Sequence, residues 1–165
     1  VAQSGIYSLS SNSSGITNLS RPIIALAYQQ HYLQTDIQSQ GLYAAIPLKR
    51  MGTFGLVVHN HGIVGTSTFL KAGLTYARKF GSTISTSISA NYHQRTVDKY
   101  LGDNTMSLDL GIQYDLYENL QMGFIAKNVS RSKFDPQVNE YLATELGLGV
   151  KYIVSKYLTF ISDVN

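Results

Sequence analysis

Met106-Ser107-Leu108-Asp109-Leu110-Gly111-Ile112-Gln113-Tyr114-Asp115-Leu116 alternates without a break between apolar and polar or small side chains. In an extended chain every second side chain turns to the opposite side, so this stretch predicts a β-strand with one apolar and one polar face. Three other stretches repeat the pattern. Ile84, Ile88, Ala90 and Tyr92 alternate with Thr83, Ser85, Ser87, Ser89, Asn91 and His93. Leu70, Ala72, Leu74 and Tyr76 alternate with Lys71, Gly73 and Thr75, and Leu146, Leu148, Val150 and Tyr152 with Glu145, Gly147, Gly149 and Lys151. None of the four carries the period of an amphipathic helix.

Outward from these runs, the same alternation predicts strands over 22–31, 40–48, 53–61, 68–79, 83–95, 105–117, 120–129, 143–154 and 157–164. Their lengths match the about 9–11 tilted residues of a strand that crosses a bilayer. They exceed the roughly five or six residues of an ordinary globular strand. The connections alternate as well. Lys49-Arg50-Met51-Gly52, Phe80-Gly81-Ser82, Glu118-Asn119 and Ser155-Lys156 are short, whereas 32–39, 62–67, 96–104 and 130–142 are longer and polar. Short turns on one rim and long loops on the other are the plan of a transmembrane β-barrel. The expected fold is therefore all-β: an antiparallel transmembrane β-barrel, or the N-terminal part of one. Residues 1–21 form a separate N-terminal segment and 22–165 the barrel strands. A ninth strand leaves an odd count and an unpaired edge in lipid, so further strands, or another chain, are expected to close it.

Composition bounds the alternatives. The 165 residues suit one domain, with 14% charged residues, 12 Tyr, 14 Gly, no Cys and no Trp. A mean hydropathy near zero excludes neither membrane nor cytosol, because a barrel averages its lipid face against its lumen. No run of about 18 apolar residues exists, so no transmembrane helix is expected. Without cysteine there are no disulfides and no thiolate metal sites. A net charge of +3 with scattered Lys and Arg argues against nucleic acid as a partner. Tyr28, Tyr43, Tyr76, Tyr92, Tyr114, Tyr117, Tyr141, Tyr152 and Tyr157 fall toward strand ends, as an aromatic girdle requires. The opening Val1-Ala2-Gln3-Ser4 has no basic and apolar leader, as expected of a processed or partial chain.

Several residues are candidates for a site. Ser85, Ser87, Asn91, Asp109, Gln113, Asp115, Glu145 and Lys151 lie on the polar phase of their strands and are expected to face a wet lumen, with Lys71 and Lys127 in the same network. His59, His61 and His93 raise the possibility of a metal site, but no acidic partner lies nearby in sequence and interfacial polar roles account for them. No Ser/His/acid pattern falls on neighbouring strands. No catalytic, cofactor-binding or metal-binding residue is expected. Glycines at 41, 52, 55, 73, 111, 123, 147 and 149 read as places where a strand bends or admits a large neighbour. In the loops, Arg95, Lys99, Tyr100, Arg131, Phe134 and Tyr141 combine charge with aromatic surface and are candidate partner contacts.

Asn12-Ser13-Ser14-Gly15-Ile16 resembles the N-P-A-G-L segment that precedes the first strand of Bacteroidota outer-membrane barrels of the FadL-like superfamily. Ser13 stands where that segment commonly has Pro, and Ser14 where it has Ala. The order and spacing of 23–32, 41–47, 51–60 and 70–80 resemble the same group, including PorV- and PorQ-type members of the type IX secretion system. The resemblance implies a barrel of about fourteen strands, with a small helical or plug element at the periplasmic mouth. It implies outer-membrane lipid and other envelope or secretion-complex proteins as partners. The expected function is a non-enzymatic component of a surface assembly or protein-secretion complex in the bacterial outer membrane, with the N-terminus periplasmic and the long loops extracellular. Transport of hydrophobic small molecules, as in other FadL-like barrels, is the alternative. A soluble β-barrel or β-sandwich binding protein is the third.

Overall fold

The computed structural model of the chain describes residues 1–31, 37–48, 50–63, 65–98, 102–135 and 140–164. Two short 3-10 helices, Ile6–Ser10 and Ser13–Asn18, precede the strands β1 (Ile23–Gln30), β2 (Ile37–Leu48), β3 (Gly52–Ile63), β4 (Ser67–Phe80), β5 (Ile84–Val97), β6 (Asp103–Tyr117) and β7 (Leu120–Lys127). There follow β8 (Lys133–Asp135), β9 (Glu140–Tyr141), β10 (Glu145–Ser155) and β11 (Leu158–Val164). Nine of these strands form one antiparallel sheet in the order β1-β2-β3-β4-β5-β6-β7-β10-β11, and β8 and β9 form a separate small hairpin.

Register keeps one phase across the whole sheet. Gly55 stands opposite Ala45 and Thr75, Thr75 opposite Ser89, and Ser89 opposite Asp109, so odd-numbered residues share one face from strand to strand. That face carries Ser, Thr, Asn, Gln and Gly and is largely covered. The even-numbered face carries Leu26, Leu74, Met106, Leu110, Phe124, Leu146 and Phe160 and lies bare. The distribution is the reverse of an ordinary soluble sheet, whose apolar face packs inward. Two of the short turns use glycine where the backbone takes positive φ, Gly52 at 101° and Gly81 at 62°, a conformation that costs an L side chain strain.

All nine strands predicted from alternation are present, with ends displaced by a few residues. Two expectations need correction. The 62–67 connection is not a long loop, because β3 runs to Ile63 and β4 starts at Ser67. The 130–142 loop is not without structure, since it contains the β8–β9 hairpin; a three-residue and a two-residue strand are too short for alternation to register. Within the nine strands the sheet remains open: β1 pairs only with β2, and β11 only with β10. The antiparallel all-β expectation therefore holds at the level of the sheet.

Candidate functional site

The covered face is a seat for the chain's own first nineteen residues. Ile6, Leu9 and Ile16 pack with Tyr43, Ala45, Val57 and Ala77 of β2, β3 and β4, and Leu19, Ile23 and Ala25 complete this apolar cluster. The Tyr7 and Tyr43 rings meet edge to face at 5.2 Å. Beyond β4 the seat becomes polar, and the segment answers with hydrogen bonds. Asn12 Nδ2 donates to the carbonyls of Ile112 (3.0 Å) and Phe124 (3.2 Å), which are cross-strand partners on β6 and β7. Its Oδ1 accepts from Ser14 N and Ser14 Oγ, fixing the start of the second 3-10 helix. Gln113 Nε2 donates to the carbonyls of Val1 (3.1 Å) and Gln3 (2.7 Å). Ser89 Oγ lies 2.7 Å from Thr75 Oγ1 and 3.3 Å from Ser13 Oγ, and Thr17 Oγ1 lies 2.8 Å from Ser85 Oγ. At the far edge the Val1 nitrogen sits 2.8 Å from Asp163 Oδ1 on β11.

Glycine makes the seat deep enough. A Cβ at Gly55 would stand 2.6 Å from Leu9 Cδ2, one at Gly123 would stand 2.7 Å from the Val1 carbonyl oxygen, and one at Gly111 would collide with Asn12 Oδ1. Of the eight glycines singled out in the sequence, every one except Gly52 is odd-numbered, and odd is the phase of the covered face.

Above the seat runs a belt of ion pairs. Asp109 is its centre: Oδ2 accepts from Asn91 Nδ2 (2.8 Å) and lies 3.4 Å from Lys71 Nζ, and Oδ1 accepts from the Asn128 backbone N–H (2.9 Å). Lys127 pairs with Glu145 at 2.7 Å. Below the seat, Lys79 pairs with Asp115 at 3.0 Å, and Gln121 Nε2 donates to the other Asp115 oxygen at 2.6 Å. Lys151 lines a cleft of about 500 Å³ there with Thr83, Asp115, Glu118 and Gln121. Ser85, Ser87, Asn91 and Gln113 are thus on the expected face, but they are buried rather than wet, because the N-terminal segment and neighbouring side chains cover them. Asp109, Asp115, Glu145 and Lys151 share that face and keep contact with solvent.

Asn128 organises the longest connection. It is buried with φ of 50°, donates from Nδ2 to the Leu142 carbonyl (2.7 Å), and accepts at Oδ1 from Ser130 Oγ and Ser132 N. The β8–β9 hairpin folds back over the upper end of the covered face. There Arg95 bridges Glu140 and Asp103, each at 2.9 Å through Nη2, and its guanidinium lies 5.2 Å from the centre of the Phe134 ring. Phe134 also meets Phe69 edge on at 6.3 Å. Arg95 and Phe134 therefore serve an internal latch and are not free partner contacts. Arg131 and Tyr141 are exposed, with Lys133 Nζ 4.5 Å from the centre of the Tyr141 ring. Lys99 and Tyr100 lie outside the described residues.

Sequence reasoning missed Asn12, Asn128 and the latch. Asn12 and Asn128 act through hydrogen bonds to backbone and side-chain groups near and far in sequence, which leave no periodic trace. The legible signals for the seat are the phase of the glycines and the anchors Leu9, Ile16 and Leu19 in an otherwise small and polar segment 8–19.

The histidines do not converge on a metal. His61 Nδ1 and His31 Nε2 flank Ser39 Oγ at 2.7 and 3.0 Å, whereas His93 is buried, 2.8 Å from Ser107 Oγ. Among the described residues no group of three or more His, Asp or Glu side chains is arranged to hold a metal ion. His93 Nδ1 is buried with no hydrogen-bond partner among the described residues.

Two outcomes follow from this geometry. Gly111→Val forces a side chain into Asn12, and overpacking of this kind costs about 1–3 kcal/mol; the denaturation midpoint falls and the amides of Ser13–Asn18 exchange faster with solvent. Glu140 is held below its ordinary carboxylate pKa of 4.5 by the hydrogen bond from Arg95. Its contribution to docking of the hairpin is fully present above 4.5 and is lost as pH falls through the lowered value. Limited proteolysis of the 128–144 connection therefore stays slow at pH 4.5 and accelerates below it, whereas Arg95→Gln makes it fast at neutral pH. No protein-family model, curated protein or solved structure matches this chain.

Proposed function

We propose that the nine-stranded sheet is part of the wall of an outer-membrane β-barrel, and that the protein is a non-enzymatic component of a surface assembly or protein-secretion complex of the type IX kind. The observation that carries this reading is the inverted burial of the sheet. Leu26 is 77% exposed and Met106 72%, while Gln113 is 1% exposed and Asn12 fully buried. Monomeric soluble proteins do not leave a continuous apolar sheet face to water; a bilayer is the solvent that such a face matches. A soluble sandwich or lipocalin-like binder would turn these side chains toward each other or a ligand, and no second sheet covers them among the described residues.

The open edges fit the same reading. Nine antiparallel strands leave β1 and β11 running in the same direction, so an odd number of additional strands between them completes an antiparallel barrel. Two copies that cross the bilayer in the same sense and join edge to edge would instead bring like-directed strands together, which disfavours closure by a second copy so inserted. In lipid, unpaired edge N–H and C=O groups cost several kcal/mol each, and closure removes that cost. Residues 1–19 then act as an internal plug toward the short-turn, periplasmic rim, and the β8–β9 hairpin closes over the extracellular end.

The filled interior favours assembly over transport of hydrophobic solutes. The apolar part of the covered face is occupied by Ile6, Leu9 and Ile16, and the remainder presents serine, asparagine and ion pairs. The full chain expressed with its native signal tests this. Recovery from the outer-membrane fraction in mild detergent, together with defined envelope or secretion proteins, is the expected result. A lone barrel carrying apolar ligand would point to transport, and recovery in the soluble fraction would sink the membrane reading.

A further inference from the structure

Charge is distributed unevenly between the two ends of the sheet. At the short-turn end stand Arg21, Arg50, Arg78, Lys79, Lys151 and Lys156 against Asp115 and Glu118. Asp115 is already engaged, with Lys79. Arg21, Arg50, Arg78, Lys151 and Lys156 have no ion-pair partner among the described residues. At the other end the cations are mostly matched internally, Arg95 by Asp103 and Glu140, Lys71 by Asp109 and Lys127 by Glu145.

The unmatched cations also sit in a particular setting. Arg78 is even-numbered, on the bare apolar face, with its guanidinium 5.6 Å from the centre of the exposed Phe80 ring. Lys156 Nζ lies 5.7 Å from the Tyr157 ring, which is 89% exposed. Tyr76 and Phe54 stack at 5.2 Å just above, and Tyr76 donates its hydroxyl hydrogen to the Met51 carbonyl beside Arg50. Aromatic rings at the end of an apolar face, with cations just beyond them, reproduce the order of groups met on leaving hydrocarbon for a lipid headgroup layer.

We infer that this rim is a docking surface for anionic phospholipid headgroups, with Arg50, Arg78 and Lys156 taking the phosphate-bearing heads of the leaflet on the short-turn side. The inference rests on the membrane reading above. Lipid is favoured over an acidic polypeptide because the cations are continuous with the apolar face and interleaved with its aromatic residues rather than raised on a protruding loop. The surface potential of an anionic leaflet attracts each such cation over about a Debye length, so the preference weakens with salt.

The test uses the full chain reconstituted into vesicles of equal parts phosphatidylcholine and phosphatidylglycerol, re-extracted gently, with the retained lipid measured by mass spectrometry. Phosphatidylglycerol is enriched over the bulk ratio, and high salt during extraction reduces the enrichment. Arg50→Gln, Arg78→Gln and Lys156→Gln together lower the enrichment by at least about tenfold, as three interfacial cations should. Arg131→Gln, at the opposite end, leaves it unchanged. Retention at the bulk ratio, or enrichment indifferent to both salt and the triple substitution, overturns the proposal and leaves an acidic polypeptide as the better occupant. Insertion into phosphatidylcholine vesicles alone is scored in parallel. Insertion without lipid preference fails this inference only, whereas failure to insert fails the membrane reading beneath it.

Discussion

Once the first nineteen residues lie across the sheet, polar groups beneath them lose water and must find partners inside the protein. Asn12 shows how the requirement is met, with one amide nitrogen serving two strand carbonyls and its oxygen serving the turn that carries it. Gln113 meets half of it from the opposite side: its Nε2 reaches up from β6 to the carbonyls of Val1 and Gln3, while its Oε1 is buried without a partner among the described residues. An unmet buried hydrogen bond costs about 1–3 kcal/mol, so the polar stripe of β5 and β6 and the N-terminal segment are each unstable as arranged without the other. The ion pairs above the seat extend this dependence to the long connection, because Asp109 holds Asn128 and Asn128 holds the loop.

Much of this was legible in residues that alternate. Met106 to Leu116 announces both faces of β6, and the assignment of Asp109 and Gln113 to one face follows from their spacing alone. What alternation does not encode is what lies against a face. Ser85 and Gln113 read as groups for a wet lumen because serine and glutamine suit water, yet the same donors and acceptors suit a packed backbone. Phe134 and Arg95 read as exposed for a similar reason: a short hairpin folding back on its own sheet is decided by a few side-chain contacts, and these have no period. The seven odd-numbered glycines carried more information than their individual roles suggested, since absent side chains in one phase mean that something else occupies that face.

Function on this account comes from the separation of surfaces. On the proposed membrane reading the bare face meets lipid; the other face is covered by the chain's own N-terminal segment, and the two rims differ in charge. On the same reading, the rim that carries the latched hairpin and the exposed Arg131 and Tyr141 is the side proposed to meet other macromolecules. The unmatched cations and bare aromatic rings of the other suit a headgroup layer. The covered face supports the proposal of a wall and platform over that of a conduit.

The most direct test of the central claim is a scan of single cysteines along 84–93 in this cysteine-free chain, spin-labelled after reconstitution in a bilayer and probed with oxygen and with a water-soluble nickel complex. The account predicts a period of two: high oxygen access at positions 84, 86, 88, 90 and 92, with positions 85, 87 and 89 shielded from both reagents. Even-numbered positions reached by the nickel complex, or access without alternation, would contradict it.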